Sequence, residues 1–443
     1  MYFYDREDIM KRILSIFLAI LMIVSAFAGC SGDGKPEENS SGQEPEVVVE
    51  ETLSIVVYDR GEDSAYWENV VAAFETANPG VTVDMFISKD AAYELRDRIL
   101  GGNSPDFVYL PSYEESGVTE ALIKDRAMTS ISDIEQVASS LMLSGAVENT
   151  LCKPYDDGET YLAPLFFEVE GLIYNKTLLS ENGWSLPATW DEFVALAEEC
   201  DNEDVAVFTY AGAKPDEFVN IFAAALVPSI GAENVNAMLS CDAEAWENEA
   251  VTSFAEYIEK IKSLVVTGSS TKTTDDVKES FKNGEALFIS GSVSDLKELK
   301  EDAGEYEYGF ISYPKLSADG DNVSIVTFSE MYIPVEAKNA DLAKKFMIFQ
   351  YSDTAVQIAA ETLGELTPVL KVSELAGQYE LDETDKEAYR SIGTSVFAPK
   401  FAVKSAENAS LSDEFTGLIV SVFRGDVTPE EFKEKMLEYI EEY

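Results

Sequence analysis

The run Leu53-Ser-Ile-Val-Val-Tyr58 and the residues that follow it decide the fold class of this chain. The run is short and apolar, as in a strand that is buried on both faces. Apolar residues then fall at helical spacing from Trp67 to Phe74, and Asn78-Pro79-Gly80 ends that helix. The segment Val81 to Ile87 has the composition of a second strand. Strand, helix and strand in this order favour parallel pairing, which predicts a layered α/β sheet.

The same alternation continues towards the end of the chain. A helix is predicted over 91–100, and two later helices begin at the capping-box patterns of Thr189 and Thr428. Further strands are predicted at Asp106–Leu110, Val205–Tyr210, Ala286–Ser290, Tyr308–Ser312 and Tyr332–Val335.

Composition bounds the function. The chain has 443 residues, 46% of them hydrophobic, with 83 acidic and 32 basic side chains and a net charge of −51. This balance argues against nucleic-acid binding, because phosphates require clustered Lys and Arg. The chain has 0 histidines, so triads that use histidine and zinc sites ligated by histidine are excluded. The acidity fits either a solubilising surface or an electric field that attracts a cationic ligand.

The N-terminus has the pattern of an export signal. Lys11 and Arg12 precede an apolar run, Ile13 to Ala28, which is short for a membrane-spanning helix. The sequence Phe27-Ala-Gly-Cys30 resembles the lipobox of bacterial lipoproteins, in which the cysteine is acylated and the chain is cut before it. The alternative is a signal anchor that stays uncut. Acidic residues near the start fit a signal poorly, so Met10 is a candidate for the true start.

These patterns divide the N-terminal region into two parts. Residues 1–29 are predicted to be a signal peptide, and residues 30–50 a lipid-anchored, disordered tether rich in Gly, Ser, Pro and Glu. The globular body is expected to begin at residue 51 and to face outward from the cytoplasmic membrane. Its contact with the membrane is expected through the lipid on Cys30 only.

Metal and cofactor sites are not predicted. Cys152, Cys200 and Cys241 are an odd number of widely spaced thiols, which could form one disulfide or stay buried. The acidic runs Asp156–Glu159 and Asp319–Asn322 are predicted to be hairpin turns, since neither completes a calcium-binding loop.

Seven segments carry a family resemblance in a shared order. They are Trp67–Val83, Gly102–Val108, Tyr161–Lys176, Leu186–Phe193, Phe281–Gly291, Tyr308–Pro314 and Gly425–Phe432. Together they resemble the family 1 extracellular solute-binding proteins of ABC importers, which include the maltose- and oligosaccharide-binding proteins. The resemblance spans nearly all of residues 53–440.

The resemblance implies a two-lobed type II periplasmic-binding-protein fold with a hinged cleft between the lobes. Lobe 1 would comprise residues 51–166 and 312–365, and lobe 2 residues 167–311 and 366–443. The chain would cross between the lobes near Pro164–Glu168, near Tyr308–Pro314 and just after Glu361–Thr367. Closure on solute would be a hinge motion.

Two candidate ligand residues follow from strand position. Tyr58 and Asp59 end the first strand, and ligands of α/β folds bind beyond the carboxyl ends of strands. They could stack on a ring and accept hydrogen bonds from hydroxyl groups. The alternative for Asp59 is that it caps the helix that follows.

Other candidates follow from the resemblance. Tyr113 and Glu114 lie in a loop that contacts ligand in sugar-binding relatives, and Glu168 matches an acidic position that contacts sugar. An ordinary hydrogen bond to the hinge backbone is the alternative for Glu168. The remaining candidates are Tyr210, Trp246, Ser292, Glu330 and Glu365.

Two of these carry reservations that come from the residues themselves. Trp246 is either a stacking platform or a core residue. Ser292 flanks Val293, which stands where many sugar binders have a tryptophan. The lost aromatic face weakens the oligosaccharide interpretation without excluding it.

The function expected from sequence is that of a substrate-binding lipoprotein of an ABC importer, with no enzymatic activity. The solute is predicted to be a carbohydrate, and the partner a membrane permease that meets a monomeric receptor. One alternative is a receptor for a cationic solute such as a polyamine. The other is a surface glycosidase that uses two carboxylates.

Overall fold

The computed structural model describes residues 50–61, 64–111, 116–135, 147, 152–155, 157–203, 205–302, 304–319, 323, 325–367, 375–381, 383, 385–386, 396–397 and 406–442. The predicted signal peptide, Cys30 and nearly all of the predicted tether lie outside these ranges. Within them, no helix combines the length and the apolar character needed to cross a membrane.

Within the part of the chain that the structure describes, nine strands form one mixed sheet. Parallel pairing joins β1 to β2 and β3, β5 to β6, and β8 to β9, whereas the other neighbours pair antiparallel. The path runs β2-β1-β3-β8-β4-β6-β5, with β7 paired to β4 and β9 to β8. The strands are β1 (Glu51–Tyr58), β2 (Val81–Ser88), β3 (Phe107–Tyr109), β4 (Leu162–Asn175), β5 (Ala206–Thr209), β6 (Ala286–Ser292), β7 (Tyr308–Ile311), β8 (Ile325–Tyr332) and β9 (Val396–Phe397).

Helices occupy most of the connections between strands. The described α-helices, numbered in chain order, are α1 (Ser64–Ala77), α2 (Ala91–Leu100), α3 (Val118–Lys124), α4 (Lys176–Asn182), α5 (Trp190–Asn202), α6 (Glu217–Ile230), α7 (Ala232–Leu239), α8 (Ala243–Trp246), α9 (Glu249–Ile261), α10 (Thr274–Lys282), α11 (Val293–Glu301), α12 (Ala340–Phe349), α13 (Asp353–Thr362), α14 (Ala406–Arg424) and α15 (Pro429–Glu442). A short 3₁₀ turn covers Ser269–Thr271. The α/β class predicted from sequence is confirmed.

Local patterns predicted helix starts well. The backbone N–H of Glu192 donates to Thr189 Oγ1 at 3.3 Å, and Glu192 Oε2 accepts from the Thr189 N–H at 3.3 Å. Thr428 and Glu431 make the same reciprocal pair at 3.2 and 2.9 Å. The prediction of a strand over Tyr332–Val335 is wrong in position, since β8 ends at Tyr332. Pro334 has no N–H to donate to a continued ladder.

The buried hydrophobic residues form two large cores. The first surrounds β1 and β3 and includes Trp67, whereas the second surrounds α6 and α9 and includes Trp246. Strand β8 contributes to both, because Val326 belongs to the first core and its neighbour Ile325 to the second. Strand β4 likewise sends residues into each. The lobe boundaries predicted from the resemblance stay a prediction.

Strand β4 is the long spine of this arrangement, and it positions the site. Its first part pairs with β8, with a register shift between Pro164 and Phe166, and its last part pairs with β6 and β7. A Cβ on Gly171 would lie 2.3 Å from the carbonyl oxygen of Ile311, so only glycine allows β7 this close. Glu168 lies on β4 opposite Thr327 of β8.

Candidate functional site

The segment after β1 brings an arginine into the site. Arg60 Nη2 donates to Glu365 Oε2 at 2.9 Å, and the two side chains are each 17% exposed. The Arg60 guanidinium also lies 4.7 Å from the centroid of the Phe166 ring. An ion pair with this little exposure is screened less than a surface pair, so it links the β1 end to the segment after α13.

Asp59, the residue next to Arg60, has a local role. Its Oδ1 accepts from the Gly61 N–H at 2.8 Å, and its Oδ2 accepts from the Ser64 hydroxyl at 3.4 Å. Both oxygens therefore hold the turn that leads into α1, as in the capping alternative raised from sequence. Tyr58 is half-buried and packs against the first core.

Glu168, on β4, lies near the ion pair of Arg60 and Glu365. Its Oε1 accepts a hydrogen bond from the Ser294 hydroxyl at 2.7 Å. Burial, followed by the nearby negative charge of Glu365, raises the pKa of Glu168 to about 7, against the opposing effects of Ser294 and Arg60. Glu168 therefore exchanges a proton near neutral pH. We call Arg60, Glu168, Ser294 and Glu365 the Arg60 cluster.

The start of α11 explains why Ser294, and not Ser292, meets Glu168. Ser292 is the N-cap of α11, and its hydroxyl and N–H are both engaged by Asp295, at 3.1 and 2.8 Å from Oδ2. Ser292 therefore has a capping role in this structure, and its predicted contact with solute stays a prediction. One turn further along α11, Lys297 forms an ion pair with the buried Asp385 at 2.7 Å.

Three more carboxylates lie behind this cluster, and we call Glu170, Glu217 and Asp295 the inner carboxylates. Burial raises the pKa of Glu217 to about 8, although its carboxylate accepts a hydrogen bond from the Ala211 N–H. The charges of Asp216, Asp295 and Glu170 add to this rise. Glu170 accepts from the Thr327 hydroxyl at 3.2 Å, and Asp295 pairs with Lys278 at 3.0 Å.

The phenol of Tyr313 is buried near the inner carboxylates. The hydroxyl oxygens of Tyr313 and Ser290 lie 2.7 Å apart. Burial, followed by the charge of Glu170, holds the pKa of Tyr313 well above its ordinary value. Tyr313 therefore stays a neutral hydrogen-bonding group at any physiological pH. Within the described ranges, no three His, Cys, Asp or Glu side chains are arranged to hold a metal ion.

A cavity of about 410 Å³ opens beyond the carboxyl end of β5, and we call it the β5 cavity. One wall is the segment Gly212–Asp216 and the other is α14. A Cβ on Gly212 would lie 2.3 Å from the Cα of Ser270, so this wall is pressed against the 3₁₀ turn. The α14 residues that line the cavity are Asp413, Thr416, Gly417, Val420 and Arg424.

Sequence reasoning missed the α14 wall. Asp413, Thr416, Gly417 and Val420 stand at positions i, i+3, i+4 and i+7, which share one face of a helix. Asp413, Thr416 and Gly417 of that stripe are polar or small, although Thr416 and Val420 are themselves buried, as is Phe415 on the alternate face. The amphipathic pattern of 406–424 was the signal that could have found it.

The structure places two predicted aromatic contacts in the second core. Tyr210 is 2% exposed and stacks on Phe423 with centroids 4.5 Å apart. Trp246 is 0% exposed, stacks on Phe222 at 5.5 Å and donates its indole N–H to the Met238 carbonyl at 2.6 Å. Neither ring offers a face to a solute in this structure. This corrects the prediction that Tyr210 faces the cleft, whereas the burial of Trp246 matches the core alternative raised from sequence.

Three predicted contacts remain, namely Glu330, Tyr113 and Glu114, and none of them is a member of the Arg60 cluster. Glu330 lies within β8 and is 2% exposed. Tyr113 and Glu114 lie outside the described residues. Of the ten ligand contacts predicted from sequence, Glu168 and Glu365 are the two that the structure joins through Arg60 and Ser294.

Comparison with known proteins identifies the family to which this chain belongs. The sequence model of a family described as bacterial extracellular solute-binding protein matches residues 69–386. The chain belongs to this family of solute-binding proteins. Its members are binding proteins that act outside the cytoplasm, at the cell surface or in the periplasm.

Individual relatives of this solute-binding protein are similar to it in sequence, and solved structures are similar to it in fold. It is 24% identical over 319 residues to the multiple sugar-binding protein of Streptococcus mutans, covering 70% of this chain and 73% of that one. It is 24% identical over 360 residues to the diacetylchitobiose binding protein DasA of Streptomyces coelicolor, covering 78% and 79%. A family 1 extracellular solute-binding protein from Bifidobacterium longum subsp. infantis superposes with a TM-score of 0.67 at 18% identity, covering 89% and 100%. The two-lobed binding-protein fold expected from sequence is confirmed.

Proposed function

We propose that this protein captures a carbohydrate in the β5 cavity, with a second polar site at the Arg60 cluster, and delivers it to the permease of an ABC importer. The observation that carries the proposal is the β5 cavity itself. Its volume of about 410 Å³ lies within the range of roughly 300–1,000 Å³ typical of small-molecule sites. It also opens at the carboxyl end of a strand, where α/β folds bind their ligands.

The chemistry of the lining supports a sugar. Saccharides present many hydroxyl groups, which need hydrogen-bond acceptors and donors in fixed positions. Asp216 and Asp413 supply carboxylates at opposite walls of the cavity, and Lys214 and Arg424 supply donors.

The relatives supply independent support for the solute class. Two of them are named for sugars: the multiple sugar-binding protein of Streptococcus mutans and the diacetylchitobiose binding protein DasA. The identities of 24% are low, so the particular sugar of a relative does not transfer to this chain.

The Arg60 cluster suits a closure device. It gathers the end of β1, strand β4, the start of α11 and the segment after α13 at one place. Under the predicted lobe division, Arg60 and Glu365 belong to lobe 1, and Glu168 and Ser294 belong to lobe 2. A solute that touches them stabilises the closed form by its differential affinity for that form.

The location of the receptor completes the proposal. The lipobox-like sequence before Cys30 supports acylation of that cysteine and tethering of a monomeric receptor to the outer face of the cytoplasmic membrane. The tether predicted from sequence would then join the acylated cysteine to the globular body.

Calorimetric titration of the full chain in detergent tests the function. The ligands would be maltose, raffinose, diacetylchitobiose and spermidine. We expect saturable binding of at least one saccharide, and a melting temperature that rises with its concentration. At 100 times the dissociation constant, the added stability is about 2.7 kcal/mol. If spermidine is the one ligand that binds, the solute is cationic and the carbohydrate proposal is wrong.

A matched pair of variants locates the binding. Asp413→Asn removes a carboxylate from the β5 cavity, and we expect it to weaken saccharide binding about tenfold or more, since hydrogen bonds to charged groups contribute about 1.5–3 kcal/mol. Asp201→Asn makes the same change at an exposed position near the end of α5 and should leave affinity unchanged. Equal affinities for both variants would place the sugar elsewhere.

A further inference from the structure

Helix α14 has two faces with different tasks. The buried residues Phe415, Ile419 and Val422 pack one face into the second core. The other face lines the β5 cavity, and Gly417 stands near its centre, one turn after Asp413 and two turns before Arg424. The residue at the middle of this wall therefore has no side chain.

Packing within the protein does not require this glycine. Among the described residues, a Cβ built on Gly417 would meet no atom within 4 Å, and the backbone of Gly417 is not among their positive-φ positions. Gly171 and Gly212 differ, because a Cβ there would come within 2.3 Å of a neighbouring backbone atom. Alanine would be accommodated at 417 with no clash.

Glycine at this position also has a cost. In a helix interior, glycine is the least favourable residue apart from proline, because it loses the most backbone freedom on folding. Gly417 lies well inside the 19-residue α14. Neither helix stability nor close packing accounts for it, and the space that its missing side chain leaves belongs to the β5 cavity.

We propose that Gly417 determines the fit of the solute, because its missing side chain leaves a flat part of the cavity wall against which a sugar ring lies. This inference rests on the proposed carbohydrate function. The ring would contact the backbone of α14 at Gly417, with Asp413 and Arg424 at its two edges and Asp216 on the opposite wall. Saccharides with a flat pyranose face would fit this wall, and a side chain at 417 would displace them.

Two substitutions test the proposal, with stability and affinity measured on the same protein. Gly417→Ala should raise the melting temperature of the unliganded chain by about 1–2 °C, because alanine favours the helix. The same change should weaken binding of the saccharide identified for the wild type by about tenfold, because the methyl group occupies the contact surface. Gly417→Leu should keep the fold and abolish saturable binding.

A higher melting temperature together with weaker saccharide binding would separate the proposed role of Gly417 from a purely structural one. A variant that merely damages the fold would lower both stability and affinity. Thr76→Ala is the control: it replaces an exposed residue near the end of α1 by a better helix former, far along the chain from the cavity wall. It should leave affinity unchanged.

Each negative outcome has a distinct meaning. If the wild type binds a saccharide and Gly417→Ala binds it equally well, the inference is wrong and the proposed function stands. If the wild type binds none of the saccharides tested, the proposed function is itself wrong.

Discussion

Two aromatic and two acidic residues among the predicted solute contacts lie in different environments. Tyr210 and Trp246 are buried in the second core, where each stacks on a phenylalanine. Glu168 and Glu365 lie in the Arg60 cluster, where hydroxyl and guanidinium groups face them. Tyr210, Glu168 and Glu365 were predicted from position near a strand end or a chain crossing, whereas Trp246 was predicted to be either a stacking platform or a core residue.

The difference shows which residue types reveal a site. Burying a carboxylate without partners costs several kcal/mol, so a carboxylate that follows a strand lies near solvent or in a polar cluster. A tyrosine or tryptophan can bury nearly all of its surface with a single hydrogen bond, as Trp246 does with the Met238 carbonyl. Carboxylates near chain crossings are therefore better indicators of a cleft than aromatic residues.

The substitution Trp246→Ala tests this contrast and has the largest expected effect. It should lower the free energy of unfolding by about 3–5 kcal/mol, because it leaves a large cavity in the second core. The affinity of the remaining folded protein for its solute should not change. Urea denaturation and a binding titration measure the two effects.

Tyr93→Ala is the matched control, since Tyr93 is 55% exposed and should affect neither quantity. Lost affinity with unchanged stability for Trp246→Ala would return Trp246 to the binding site.

A second test uses the pH dependence of stability at Glu217. The folded state holds a proton up to a pKa of about 8, whereas the unfolded chain loses it near the ordinary value of 4.5. The folded protein therefore binds more protons between these values, and its stability falls as pH rises through that window. Glu217→Gln should remove this loss and stabilise the unliganded protein at pH 9 by on the order of 3 kcal/mol, allowing for partial exposure.

The comparison at pH 4 completes this test. Glu217 is largely protonated in both states there, so the wild type and Glu217→Gln should unfold at nearly the same urea concentration. A gain of the same size at both pH values would mean that ionisation is not the cause. Glu198→Gln, on the exposed face of α5, should show no gain at either pH.

A third test separates the cation from the carboxylates of the Arg60 cluster. Arg60→Met keeps much of the apolar stem but removes the charge that pairs with Glu365. We expect a loss of about 1–3 kcal/mol at pH 8, since a partly buried carboxylate is left without its ion pair. The loss should be smaller at pH 5, where protonation relieves the repulsion between Glu168 and Glu365. An equal loss at both pH values would show that Arg60 acts by packing on Phe166 alone.

The smallest effect is expected for Ser294→Ala. It removes the hydroxyl that donates to Glu168 Oε1, and a hydrogen bond of this kind contributes about 1 kcal/mol. The pKa of Glu168 should rise further above 7, because the hydroxyl stabilises the ionised form. NMR titration of the Glu168 carboxyl carbon measures the change. Ser180→Ala, on the exposed surface of α4, is the control.

Local patterns predicted much of the fold and part of the site. Strand β1, helix α1 and the capping boxes of Thr189 and Thr428 depend on residues close in sequence, so they were predicted correctly. The antiparallel pairing of β4 with β6 and β8 joins segments more than 100 residues apart, and no local pattern specifies it. The α14 wall was missed for the same reason, since it meets the β5 end across nearly 200 residues of chain.

Strand β4 has a consequence for how the molecule opens and unfolds. Its 14 residues run through both cores and pair with three other strands, so neither core can lose its order while the other keeps a complete β4 ladder. In hydrogen-exchange experiments, the central β4 amides should therefore exchange only through global unfolding, and the two cores should melt in a single transition.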